Sequence, residues 1–283
     1  MPQPITTPNH AAALHLIPVS LGDSDLGLWL PTDVQNTARR LTVYIAENAK
    51  SARAFLQQIE PVMPIREITI FTLDKKGTPS SEITQWLQHP DAMELGVGLV
   101  SEAGCPAVAD PGAAVVAQAH ALGIPVFPHV GPSSLLLALM GSGLNGQRFS
   151  FQGYLPIQSA QRRHTLQSLE QQSAREHSTQ LFIETPYRNQ ALFDDLCSSL
   201  SPDTQLCVAR ALTTAEQWIH TNSIAQWRAQ PPPQLDKQPT LFLFLAAPRQ
   251  TSKNNQASPR NQAQRHQPQR NQRSRGRRRR QST

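Results

Sequence analysis

A chain of 283 residues is longer than a typical single domain and can bury two cores, and its 39% hydrophobic content thins out only over residues 251–283. The formal charge of +6 is equally uneven: residues 251–283 carry Lys253 and nine arginines with no acid, +10, which leaves sixteen bases against twenty acids, −4, over residues 1–250. A uniformly basic protein is thereby excluded. So are a disulfide framework and a zinc site, because Cys105, Cys197 and Cys207 show neither CxxC nor Cys/His ligand spacing.

In chain order, residues 1–13 read as a flexible start without the basic-then-apolar pattern of a leader. Apolar runs at 14–18, 41–46, 68–73, 97–101 and 124–128 predict buried strands, and the patterns at 51–59, 80–87, 113–122 and 133–140 predict helices between them. Strands alternating with helices imply βαβ units in a mostly parallel sheet, a first α/β domain over 14–148. The Gly/Ser/Asn-rich stretch 141–147 reads as a loop.

A second α/β domain over 149–247 follows, with an opening segment at 149–156, helices at 162–171 and 189–200, and strands at 180–184, 206–209 and 240–246. Pro231, Pro232 and Pro233 place a loop before the last strand. From 248 to 283 the Gln, Asn, Arg, Ser and Pro composition cannot offset the entropy of ordering, so a disordered basic tail is expected. No run reaches about 18 apolar residues, so no membrane span is expected, and with its unpaired cysteines the chain suits a reducing cytoplasm.

The segment Val100-Ser-Glu-Ala-Gly-Cys-Pro-Ala-Val-Ala-Asp-Pro-Gly112 carries the most chemical information. It leaves a predicted strand at its carboxyl end, where open α/β sheets bind ligands, and its small residues let backbone approach a ligand. Asp110 and Pro111 suit the start of the next helix; a tight loop with a routine cap is the plainer alternative. The phosphate-loop, G-x-G-x-x-G and G-x-S-x-G signatures are missing, which removes support for ATPase, nicotinamide dehydrogenase and serine hydrolase chemistry.

Five segments in order resemble the ribosomal RNA small-subunit cytidine 2′-O-methyltransferase family of the tetrapyrrole methylase class. They are Leu16-Ile-Pro-Val-Ser-Leu-Gly22, the loop 101–112, Gly131-Pro-Ser-Ser134, Phe151-Gln-Gly-Tyr-Leu-Pro156 and Phe182-Ile-Glu-Thr-Pro-Tyr-Arg188, with Ala209-Arg-Ala-Leu-Thr213 a weaker sixth. The resemblance implies two consecutive α/β domains holding S-adenosylmethionine in the cleft between them, and a homodimer. Position by position it assigns Ser101, Ala103, Gly104, Cys105, Val108 and Ala109 to the loop around the cofactor's methionine and ribose. It assigns Gly131, Pro132, Ser133 and Ser134 to an enclosing turn, Ile183 to the second-domain strand end, and Pro18 and Gly22 to the cleft floor.

The chain departs from the family on the side where substrate would enter: Gly22-Asp23-Ser24-Asp25, Glu47-Asn48-Ala49-Lys50, Leu73-Asp74-Lys75-Lys76-Gly77, and Tyr187 where histidine is more usual. Transfer of a methyl group from a sulfonium needs chiefly alignment and no metal, with a base near a ribose hydroxyl. Glu102 and Glu184 flank the expected cleft as candidates, and Arg188 is a candidate phosphate holder. A strand-end glutamate is also commonly a solvated or capping residue, and an arginine after proline often makes a local salt bridge. His15 reads as a core or edge histidine and Cys105 as a small neutral pocket residue.

The Arg-rich tail favours RNA or a ribosomal subunit as partner, through counterion release that carries no sequence information. Two other functions stay open. One is a methyltransferase of this fold with a small-molecule or other acceptor; the other is a non-catalytic RNA-binding assembly protein.

Overall fold

A computed structural model describes residues 12–248. Of the expected flexible start only Ala12 and Ala13 fall within it, and of the expected tail only Pro248; the rest of both expectations lies outside the described residues. Five strands, β1 (Leu14–Leu16), β2 (Val43–Ala46), β3 (Thr69–Thr72), β4 (Val97–Val100) and β5 (Val126–Pro128), form an all-parallel sheet in the order β3-β2-β4-β1-β5.

Parallel strands joined by helices are covered on both faces and read as unbroken apolar runs. Alternation along β2 shows both faces in use. Tyr44 and Ala46 point into a core with Trp29, Leu30, Val34, Phe55 and Leu56, while Val43 and Ile45 point into one with Ile83, Trp86, Leu87 and Val115. Val34 comes from α1 (Thr32–Arg40), Phe55 and Leu56 from α2 (Ala49–Ile59), Ile83, Trp86 and Leu87 from α3 (Ser80–Leu87) and Val115 from α5 (Ala113–Ala121); Trp29 and Leu30 precede α1, and α4 (Pro90–Leu95) adds Ala92.

Helix α6 (Ser134–Ser142) follows β5 and packs against the second sheet. That sheet, β6 (Phe149–Tyr154), β7 (Thr179–Ile183), β8 (Gln205–Arg210), β9 (Trp218–Ser223) and β10 (Thr240–Leu245), runs β6-β7-β10-β8-β9. Only β6 and β7 are parallel; the other three pairings are antiparallel. One face carries Phe182, Phe242, Phe244, Leu206 and Val208 against α7 (Ser159–Glu176), α8 (Asn189–Ser199) and α9 (Ile224–Arg228). The other carries Leu181, Cys207, Ala209, Leu241 and Leu243, and Ala138 and Leu139 of α6 cover it. Both sheets belong to one compact unit.

The apolar runs fall where strands form, and the helix over 80–87 matches α3. The expected loop 141–147 starts later, because α6 continues through Gly141 to Ser142 and ends on Gly143 in the left-handed region at φ +69°. Four elements were not expected. α1 and α4 are short and mostly polar, with two and one buried residues respectively; β9 is a half-buried edge strand; α9 has five residues and is fixed by a Ser223/Gln226 capping box.

Phe242 is fully buried, and its ring stacks on Phe182 at 6.0 Å between centroids. Phe242→Ala is expected to lower unfolding stability by about 3–5 kcal/mol, read from urea denaturation. A loss below about 1 kcal/mol would contradict the packing described.

Candidate functional site

Three loops meet at the carboxyl ends of the neighbouring strands β4, β1 and β5, the side where open α/β sheets hold ligands. The loop after β1 meets the loop after β4 through paired backbone bonds: Val19 N–H donates to Gly104 O at 3.0 Å, and Gly104 N–H donates to Val19 O at 3.2 Å. The loop after β5 lies on the first so closely that a Cβ at Gly131 would stand 2.3 Å from Cβ of buried Pro18. It also touches the second, since Cys105 Sγ donates to Pro132 O at 3.4 Å.

Within the loop after β4, Gly104, Ala107 and Ala109 all have positive φ, +72°, 65° and 62°. Two alanines in the left-handed region cost free energy, and such strain clusters at ligand sites. The surroundings hold them there. Ser101 Oγ donates to Ala103 O and Gly104 O at 3.2 Å each. Asp110, expected as a helix cap, instead turns back into the loop: its carboxylate accepts from Ala107 N at 2.8 and 3.0 Å and from Gly112 N at 2.7 Å, and Gly112 becomes the N-cap of α5.

The side chains leave backbone accessible at this point. Ala103, Val108 and Ala109 are exposed, and Gly131, Pro132, Ser133 and Ser134 are half-buried at the start of α6, with Ser133 as N-cap. Burial pushes the Cys105 thiol above its ordinary value, which disfavours the nucleophilic thiolate. His15 is buried in β1, with Nδ1 3.0 Å from Nε2 of His129.

The two sheets meet beside this junction. Gly22 faces the loop after β8, where a Cβ at position 22 would stand 2.5 Å from Thr214 Cγ2. Asp23, Ser24, Asp25, Leu26 and Leu28 line a cavity of about 790 Å³ with Thr213, Thr214 and Ala215. Ala211 and Thr213 in that second loop again have positive φ, 48° and 67°.

The candidate bases separate. Glu102 is exposed and accepts from Asn48 Nδ2 at 3.0 Å. Beside it is Glu47, half-buried at the end of β2; burial first, then the charge of Glu102 and, further down, that of Asp110, push its carboxyl above the usual range. Glu184, at the end of β7 after half-buried Ile183, is buried and occupied. Its Oε1 accepts from Thr185 N at 2.7 Å and from Arg188 Nε at 3.0 Å, while Oε2 is buried without a partner. Arg188 is correspondingly held in this local pair rather than presented to solvent as a free phosphate ligand.

Sequence reasoning did not single out Glu47 or Thr214. A glutamate closing an apolar strand is a weak signal for Glu47; Thr214 has no local signal, because its contact with Gly22 spans the two sheets. Among the described residues no group of three or more His, Cys, Asp or Glu is placed to hold a metal ion, and no helix is long and apolar enough to cross a membrane.

No family model matches the sequence. The chain is similar to ribosomal RNA small subunit methyltransferase I of Synechocystis sp., 32% identical over 200 residues that cover 71% of this chain and 67% of that protein. It is also similar to the protein so named from Xylella fastidiosa, 31% identical over 217 residues, 77% of this chain and 74% of that one. Among solved structures it shares its fold with the methyltransferase CobJ, with a TM-score of 0.55 at 18% identity over 83% of this chain and 94% of that chain.

Because the folded pKa of Glu47 is raised, its contribution to stability is fully present at acid pH, where both states are protonated, and is lost as pH rises through the folded value. Glu47→Gln removes that loss. The variant is expected to gain melting temperature over the parent at pH 7 and to lose the advantage near pH ~4. A difference independent of pH would contradict the assignment.

Proposed function

Since the chain belongs to the ribosomal RNA small subunit methyltransferase I family, we propose that it transfers a methyl group from S-adenosylmethionine to a ribose hydroxyl of small-subunit ribosomal RNA. The observation that carries this reading is the junction of three loops at the ends of β4, β1 and β5. Its strained, small-residue backbone forms a cradle packed so closely that a Cβ at Gly104 would press on Leu21 and one at Gly131 on Pro18.

The cradle suits this cofactor. A zwitterionic amino acid is held well by backbone N–H and C=O groups, and Ala103, Gly104, Cys105, Val108 and Ala109 offer these with little side chain in the way. Ser101 and Asp110 fix the loop; Pro18 and Gly22 form its floor; Gly131, Pro132, Ser133 and Ser134 close it; Ile183 faces it from the second sheet. When bound, the cofactor supplies a methyl group on a positively charged sulfur, already activated for in-line displacement.

The protein's task is then to align the acceptor oxygen and receive its proton. Glu102 with Glu47 is the pair suited to that: one carboxylate is exposed, and its neighbour is shifted toward the pH at which a base works best. Glu184 and Arg188 support the loop at the end of β7 and act at a distance from the proton.

The same reading makes the enzyme a cytoplasmic homodimer acting on RNA or a ribosomal subunit. The ten bases of residues 251–283 add sequence-independent attraction to RNA that weakens with salt. A second reading, a small acceptor in place of RNA, is favoured by the acidic lining of the 790 Å³ cavity, where Asp23 and Asp25 oppose phosphate.

Incubated with methyl-labelled S-adenosylmethionine, the protein is expected to label small-subunit RNA and not large-subunit RNA, with the label in alkali-resistant dinucleotides. Deletion of residues 251–283 is expected to raise KM for RNA at least several-fold at physiological salt. Cofactor binding without labelling of any RNA would overturn the main reading, and turnover on a small acceptor unaffected by the deletion would establish the second.

A further inference from the structure

A second cavity, of about 530 Å³, opens beyond the end of β8 and is lined by Gln190, Arg210, Gln234, Leu235, Asp236 and Gln238. The loop that follows β8 in sequence is the one that meets Gly22. Arg210 is the last residue of β8, and Thr214, which meets Gly22, follows four positions later, within about 14 Å along the chain.

Its walls are fixed by bonds that leave other groups unused. Arg210 Nη1 donates to Gln234 O at 2.6 Å, and the guanidinium lies 5.4 Å from the centre of the Trp218 ring, so the side chain is held flat and in place. Its Nε is buried without a partner. Asn189, fully buried at the start of α8, donates Nδ2 to Gln238 O at 2.8 Å, while its Oδ1 has no partner. Gln238 Nε2 donates to Glu216 Oε2 at 2.9 Å, which ties this wall to the loop that carries Thr214.

Of the side chains that line the cavity, Arg210 keeps one nitrogen, Nε, buried without a partner. An unpaired buried donor costs free energy that a ligand's acceptor offsets.

The ligand's chemistry follows from the lining. One arginine stands with Asp236 and, through Gln238, Glu216, so the cavity is not cationic and does not favour phosphate. Three carboxamides, an aspartate and a flat guanidinium instead present donors and acceptors together, the pattern that reads the edge of a neutral planar base. Tyr187, 75% exposed, stands three residues before Gln190 on the turn that leads into α8, a stacking surface at hand for a splayed base.

Resting on the RNA-methyltransferase reading above, we propose that this cavity is a subsite for one unpaired nucleobase of the RNA substrate, neighbouring the nucleotide that is methylated. It fixes which stretch of RNA reaches the cofactor, whereas the residues of the cradle perform the transfer.

The test compares the full chain with Gln190→Leu and Asp236→Leu, which alter the cavity lining without opening a core. Binding of a short single-stranded oligoribonucleotide and of its abasic counterpart of equal charge is measured by fluorescence anisotropy, and methyl transfer to small-subunit RNA is measured in parallel. The parent is expected to bind the base-bearing strand roughly five- to a hundredfold more tightly than the abasic one. Each variant should lose most of that preference, keep its abasic affinity, and show a raised KM for RNA with kcat unchanged. Variants that keep the preference while the parent methylates RNA would overturn the subsite alone. A parent that neither binds nor methylates RNA would overturn the reading beneath it as well, and a preference lost in the variants without any transfer would support the subsite and remove the methyl-transfer reading.

Discussion

The arrangement of this protein depends on close approach of loops at glycine. The Pro18 ring lies on Gly131, and Val19 pairs with Gly104 through two main-chain bonds. These contacts bring the loops after β1, β4 and β5 into one cradle at the carboxyl edge of a parallel sheet. The cradle holds alanines 107 and 109 in a conformation they would otherwise avoid, which the bonds from Asp110 and Ser101 make tolerable. A site built in this way recognises its ligand through amides and carbonyls, so it needs small residues more than charged ones.

Helix α6 makes the second half of the molecule part of the same site. It begins at the enclosing turn 131–134 and then covers the face of the second sheet carrying Leu181, Cys207, Ala209, Leu241 and Leu243. Without α6 that apolar face would be open to water, so hydrophobic burial fixes the second sheet against the element that closes the cradle. The contact between Gly22 and Thr214 follows, as does the position of the polar cavity beyond Arg210. Packing thus sets where the cradle and the polar cavity lie on the molecule.

The strands other than β9 were legible because buried strands must be apolar, as at 41–46 and 240–246, whereas β9 is only half-buried. The close approach at Gly104 was legible for a related reason, since a residue without a side chain lets backbone come near; Ala109 and Gly131 were named only through the family resemblance. α1 was not legible, since only Val34 and Ala38 of its nine residues are buried and the rest of Thr32–Arg40 is polar. Neither was the mixed order of the second sheet, because pairing of β10 between β7 and β8 joins residues thirty or more positions apart. Arg188 shows the limit for single residues: a guanidinium read as free for phosphate is committed to Glu184 four positions away. The Glu47–Glu102 pair joins the ends of two strands and is visible only once β2 and β4 lie side by side.

The most direct test is calorimetric titration with S-adenosylhomocysteine of the parent protein and of Gly104→Arg. In that variant a side chain at a position already at φ +72° would press on Leu21, whose Cδ2 stands 3.1 Å from the Cβ position, and displace the loop. Binding in the micromolar range by the parent, abolished in a variant that keeps its far-ultraviolet circular dichroism, is the predicted result. No binding by the parent, or undiminished binding by the variant, would contradict the cradle as the cofactor site.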